Sequence, residues 1–88
     1  QRDPADPALW NSLAEAELRD GLDVEAGRHF GLALQRNPWS VRALNGLGQI
    51  ALNAGDEGKA ARLFRTSLRA LPQQREIAAH VSRIEGDG

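Results

Sequence analysis

Apolar and small residues recur every three to four positions along most of the chain, and glycine or proline interrupts this pattern at four places. The spacing is that of one buried face of an α-helix, so the interruptions divide the chain into five helical segments. Glycine suits the positive φ at the end of a helix, and proline prevents a helix from continuing. The pattern predicts an all-α fold with helices over 7–20, 23–36, 41–54, 57–70 and 75–85.

Polar residues at the predicted helix starts support these boundaries. Short oxygen-bearing side chains accept hydrogen bonds from the first free backbone N–H groups of a helix, and proline favours the first helical position. We expect residues 1–5 and 86–88 to fray. The residues expected to cap helix starts are Asp6, Asp23, Ser40 and Asp56.

The sequence contains an internal repeat, because 7–40 aligns with 41–74 without a gap. Nine of the aligned residue pairs are identical, and each unit has the order helix, glycine turn, helix, proline. A helical hairpin buries only one of its sides, so the units are expected to stack and complete a shared core. Residues 1–88 are therefore interpreted as one domain of two hairpins, with 75–85 as a helix that caps the second.

The repeated positions also predict the core. Small residues are expected where the helices approach each other most closely, and large apolar side chains are expected to fill the space between them. The small residues are Ala14, Ala26, Gly48 and Ala60, and the large ones are Trp10, Phe30, Leu34, Phe64 and Leu68.

Composition excludes several classes of function. The chain has no cysteine, so it has neither disulfides nor metal sites built on sulfur. A formal net charge of −1 gives no overall attraction to nucleic acid, and the apolar runs are too short for membrane insertion. The bias towards Ala, Leu and Arg is common in bacterial genomes of high GC content. With no methionine at position 1, we expect a piece of a longer or processed protein, whose compartment, cytoplasmic or periplasmic, stays open.

These positions together resemble the tetratricopeptide repeat family, and the resemblance covers 7–74. It implies a right-handed superhelical stack of antiparallel hairpins that acts as a scaffold for protein–protein interaction. Glu17 and Ala51 stand where the family often has tyrosine, and we expect these departures to reduce packing. The matching residues are Trp10, Leu13, Ala14, Ala26, Phe30 and Pro38 in the first repeat, and Leu44, Leu47, Gly48, Ala60, Phe64 and Pro72 in the second.

The resemblance also implies a binding surface, the concave groove lined by the first helix of each hairpin. The expected partner is a protein or an extended peptide segment, whose backbone amide groups asparagine and glutamine side chains would hold. The other interpretation of this polar surface is that it is simply solvated. A clamp for C-terminal carboxylates is disfavoured because acidic residues replace the required cations. The predicted groove residues are Asn11, Glu15, Arg19, Arg42, Asn45, Gln49, Asn53 and Arg83.

Two features suggest binding outside the groove. Leu22, Leu32 and Trp39 are apolar at positions off the core pattern, and tryptophan is enriched in binding hot spots. Arg62, Arg65 and Arg69 form a basic ridge opposite the apolar face of the fourth helix. The ridge has no interleaved aromatic residues, so it is interpreted as a solvated face rather than a nucleic-acid site.

No set of residues predicts catalysis or a cofactor. His29 and His80 lie on different helices, and the pairing of His80 with Glu76 one turn away is typical of a surface contact. No serine is positioned by sequence to form a nucleophile with an oriented histidine. Two alternatives to a binding scaffold remain: a regulatory or substrate-positioning appendage of a larger enzyme, and a module for homo-oligomerisation.

Overall fold

The computed structural model describes residues 6–86, which contain five helices and no strand. The all-helical prediction is confirmed, and each predicted boundary agrees to within one residue. Among the described helices, none combines the length and the apolar character needed to cross a bilayer. The expected fraying of 1–5 and of residues 87 and 88 falls outside the described residues. The helices are α1 (Pro7–Arg19), α2 (Asp23–Arg36), α3 (Val41–Asn53), α4 (Glu57–Ala70) and α5 (Arg75–Glu85).

The two glycine turns end α1 and α3 in the same way. Gly21 and Gly55 have φ values of 80° and 81°, a backbone conformation that glycine adopts without steric cost. Each turn occupies three residues and returns the chain along the helix just completed. The predicted ends of α1 and α3 were therefore one residue too long, because Asp20 and Ala54 already belong to the turns.

Side chains cap three of the predicted helix starts. Asp6 accepts a hydrogen bond from the Ala8 amide, Ser40 from the Ala43 amide and Asp56 from the Lys59 amide. The expectation that Asp23 caps α2 was wrong, because Asp23 is itself the first helical residue and Leu22 occupies the capping position without a side-chain bond. The carboxylate of Asp23 still lies beside the positive end of the α2 dipole.

Consecutive helices pack against each other, and α1 also contacts α3. The core contains two rings, Phe30 and Phe64, that are 0% and 1% exposed. A Cβ atom added to Gly46 would lie within 2.7 Å of three ring atoms of Phe30, and one added to Gly48 would lie within 2.8 Å of three ring atoms of Phe64. The two glycines therefore allow α3 to approach both rings closely.

Most of the predicted core residues are buried as expected. The small residues Ala14, Ala26 and Ala60 are fully buried, and Gly48 is buried beside Phe64. Trp10 and Leu34 are partly buried against the first cluster of core residues. Glu17, which stands where the resembled family often has tyrosine, has a partner in the structure. Its Oε1 lies 2.7 Å from Nδ1 of His29, whose ring stacks on Trp10 with centroids 5.5 Å apart.

Candidate functional site

A cleft of about 480 Å³ opens between α1 and α3. Apolar side chains and a glycine form its floor, and charged or amide side chains surround them. The floor consists of Leu18, Phe30, Val41 and Gly46, and the surrounding residues are Glu15, Arg19, Arg42, Asn45 and Gln49. All five surrounding residues are among the predicted groove residues. The cleft therefore combines a surface for an apolar side chain with groups that form hydrogen bonds.

A bidentate ion pair crosses the cleft from α3 to α1. Nε and Nη2 of Arg42 donate to the two carboxylate oxygens of Glu15 at 2.9 and 2.7 Å, and Nη2 also donates to Oγ of Ser12 at 3.3 Å. These hydrogen bonds lower the pKa of the Glu15 carboxyl, although burial acts in the opposite direction, and the charge of Arg19 lowers it further. The carboxylate correspondingly raises the pKa of Arg42. The pair closes one side of the cleft and neutralises its own charges.

The two predicted asparagines, Asn11 and Asn45, join the helices at equivalent positions of the repeat. Nδ2 of Asn11 donates to Oγ of Ser40 at 3.2 Å, and Nδ2 of Asn45 donates to Oε1 of Gln74 at 2.8 Å. In both residues Oδ1 is buried and receives no hydrogen bond from the described part of the chain. Asn11 is 4% exposed and does not line the cleft. Of the two, only Asn45 is at the candidate site.

Gln49 begins a line of hydrogen bonds that leads out of the cleft. Its Nε2 donates to Oδ1 of Asn53 at 3.0 Å, and Nδ2 of Asn53 donates to Oδ2 of Asp23 at 3.1 Å. Asn53 is exposed and lies outside the cleft. Because Nε2 of Gln49 is the donor in this line, its Oε1 is free to accept a hydrogen bond from a ligand.

The other predicted site residues lie away from the cleft. Arg83 is on α5, where its Nη2 is 2.8 Å from Nδ1 of His80, and the His80 ring stacks on Phe64. Leu32 is half-buried, whereas Trp39 is 56% exposed. The structure therefore brings five of the eight predicted groove residues together at the cleft. Asn53 contacts Gln49 outside the cleft, and Asn11 and Arg83 do not line it.

Sequence reasoning missed Val41 and Gly46 in the cleft and Gln74 beside it. The signal for Gln74 was available, since the alignment of the two repeats pairs it with Ser40 just as it pairs Asn45 with Asn11. Val41 is the first residue of α3 and follows the capping residue Ser40. Whether it lines the cleft depends on the angle between α1 and α3. Sequence spacing alone does not give that angle.

The side chains that line the cleft offer apolar surface and hydrogen-bonding groups to a ligand. Within residues 6–86, no group of three or more His, Asp or Glu side chains is arranged to hold a metal ion. The basic ridge is exposed, and Arg65 of this ridge pairs with Glu85. A scan of the chain against protein-family models and a search of curated proteins found no match.

Proposed function

We propose that this chain is a pair of tetratricopeptide-like repeats that binds an extended segment of a partner protein in the cleft between α1 and α3. The proposal rests on one observation above all. The cleft has accessible apolar side chains, Leu18 and Val41, above the buried Phe30 ring, and a border of polar groups on both helices. In addition, α3 and α4 have the same lengths as α1 and α2 and are joined by a turn of equal length, as expected for stacked equal hairpins.

The chemistry of the border favours a particular kind of segment. The charges of Glu15 and Arg42 neutralise each other, so this pair needs no charged ligand. Gln49 provides an acceptor for a backbone N–H, and Arg19 provides donors for a backbone carbonyl. An extended peptide with an apolar side chain directed at the floor would use all of these groups.

The test begins with a random peptide library displayed on phage and selected on the immobilised chain. A synthetic peptide of the selected sequence is then titrated calorimetrically against the parent and its variants. Gln49→Ala and Arg19→Ala should each weaken binding by about 1 kcal/mol, or roughly fivefold, since each removes a hydrogen bond in a partly desolvated site. Asn45→Ala is less informative, because it also breaks the bond to Gln74.

Arg62→Ala is the matched control. Arg62 is exposed on α4, away from the cleft, and the substitution is the same as that at Arg19. It should leave the affinity nearly unchanged. If the two cleft variants bind the peptide as tightly as the parent does, while Arg62→Ala weakens it, then the groove is not the binding surface and the proposal is wrong.

A further inference from the structure

A second cleft, of about 360 Å³, lies at the end of the molecule that carries the turns at Gly21 and Gly55. We call this end the glycine-turn end. The floor of the cleft is made of small and aliphatic residues of α2 and α3, namely Gly27, Leu47, Ile50 and Ala51. A concave apolar surface of this size that opens to solvent suits a large apolar side chain.

The border of this second cleft is apolar and acidic. Val24, which lines it, is 84% exposed, the largest exposure among the big apolar side chains of the described residues. Asp23 and Asp56 also line it, together with the cation Lys59. A group that matched this border would carry a positive charge close to its apolar part.

Further carboxylates at the glycine-turn end increase the negative charge. Asp20 and Glu57 are exposed there, and neither forms an ion pair within residues 6–86. Unpaired surface carboxylates attract cations over about 8–10 Å at physiological salt. With Asp23 and Asp56 these carboxylates outnumber the two cations at this end, Arg19 and Lys59, so this end of the molecule favours a basic partner surface.

The opposite end of the same chain carries a group of this chemistry. Trp39 is 56% exposed in the turn after Pro38, and Arg36 is exposed three residues earlier. The Trp39 amide donates to Oδ1 of Asn37 at 3.1 Å, which holds the backbone of this turn. Arg36 forms no ion pair with any described residue. An exposed indole and an unpaired guanidinium, three residues apart in the chain, are therefore both at the end that carries Pro38 and Pro72, which we call the proline-turn end.

Leu71 and Arg69 repeat this combination at the next turn. Leu71 is 44% exposed, and Arg69 is exposed in the last turn of α4. Apolar and basic side chains thus occur together at both proline turns. The proline-turn end complements the glycine-turn end both in apolar surface and in charge.

We propose that a second copy of the chain inserts Trp39 into the cleft at the glycine-turn end. Trp39 does not reach the cleft of its own chain, because the 14 residues of α2 separate the proline-turn end from the glycine-turn end by about 21 Å. The two contact surfaces use different residues, so the contact is heterologous and leads to short chains or closed rings. The α1–α3 cleft takes no part in this contact.

The first measurement is the mass of the parent chain by sedimentation equilibrium from micromolar protein to about 1 mM. The weight-average mass should rise above the monomer mass of 9.6 kDa as concentration increases. Added salt should lower it, because carboxylates and arginines face each other across the contact. A chain that stays monomeric at about 1 mM, or that associates more strongly as salt is added, would overturn the proposal.

Three variants locate the contact. Gly27→Leu fills the cleft, and the new Cβ has room because its nearest neighbour, Cδ1 of Ile50, is at 3.8 Å. Gly31→Leu is the matched control, since Gly31 is one turn further along α2 with nothing within 4 Å and does not line the cleft. Trp39→Ala removes the inserted group. Gly27→Leu and Trp39→Ala should each be monomeric with a helical, cooperative melt, whereas Gly31→Leu should associate like the parent.

Mixing the two monomeric variants is the decisive step. Gly27→Leu retains its Trp39, and Trp39→Ala retains its cleft, so an equimolar mixture should form a heterodimer of twice the monomer mass and nothing larger. Two outcomes would show that the indole does not enter this cleft: variants that associate like the parent, or a mixture that stays monomeric although the parent associates.

Discussion

Replacing Gly46 by alanine tests the closest approach in the core. Gly46 lies in the middle of α3, where alanine normally stabilises a helix by about 0.5–1 kcal/mol relative to glycine. A Cβ atom at this position would fall within 2.7 Å of three ring atoms of Phe30, whereas carbon atoms in contact normally lie about 3.5–4.0 Å apart. Either the ring or the helix must therefore move.

The overlap should outweigh the gain in helix propensity. Phe30 is 0% exposed and belongs to the packed core, and overpacking of a core side chain costs about 1–3 kcal/mol. After the propensity gain is subtracted, Gly46→Ala should be destabilised by about 0.5–2 kcal/mol. For a domain of this size the melting temperature should fall by roughly 2–15 °C. Gly48→Ala should behave in the same way, because its Cβ would meet Phe64.

Thermal melts followed by circular dichroism provide the assay, and Gly31→Ala provides the control. A Cβ at Gly31 has no atom within 4 Å, so the same substitution in α2 should stabilise the protein by about 0.5–1 kcal/mol. The two variants should therefore shift the melting temperature in opposite directions. A Gly46→Ala variant that melts above the parent would refute the close packing of Phe30 on α3.

Two further predictions concern polar contacts. Because Arg42 lowers the pKa of Glu15, the stabilisation from this pair is present above the ordinary carboxyl pKa and is lost as the pH falls through the lowered value. The side chains of Glu15 and Arg42 are 38% and 47% exposed, so the effect should stay below about 1 kcal/mol. Melts between about pH 6 and pH 3 should show a slightly larger loss for the parent than for Glu15→Gln, and equal losses would contradict this. Asn11→Ala should lower the free energy of unfolding in urea by about 1 kcal/mol by removing the buried bond to Ser40, and Asn53→Ala should lower it less, because the hydrogen bonds of Asn53 to Gln49 and Asp23 are exposed to water.

The sequence predicted the helices well because their boundaries depend on local chemistry. Gly21 and Gly55 adopt the positive φ that their positions after apolar-periodic segments indicated. The starts at Ser40 and Asp56 follow from side chains that cap the nearest amides. Asp23 was misjudged because a carboxylate stabilises a helix start both as a cap and in the first turn, and sequence does not distinguish these two positions.

The candidate site was less predictable because it depends on how the helices pack. Asn11 and Asn45 occupy the same repeat position, so periodicity treats them alike, yet Asn45 lines the cleft and Asn11 is buried at Ser40. The contact of Glu17 with His29 was not predicted, because His29 is 12 residues away on another helix. In the second repeat the corresponding positions are Ala51 and Leu63, so the two polar residues replace an apolar pair together.

The last helix differs from the others in how it is held. No residue of α5 is buried, and Ile77, Val81 and Ile84 are only partly buried against Phe64 and its neighbours. Apolar burial therefore stabilises α5 less than it stabilises α1 to α4.

Gln74, the residue before α5, adds a polar attachment to this weak packing. Its Nε2 donates to the Leu71 carbonyl at 2.8 Å and to Ser67, and its Oε1 accepts from Asn45. In the first repeat the equivalent residue, Ser40, accepts a hydrogen bond from Asn11 through its short hydroxyl, and Ala43 and Leu44 of the following helix, α3, are buried. The Gln74 side chain thus links the start of α5, the helix without a buried residue, to the end of α4 and to Asn45 of α3. Asn45 also lines the α1–α3 cleft.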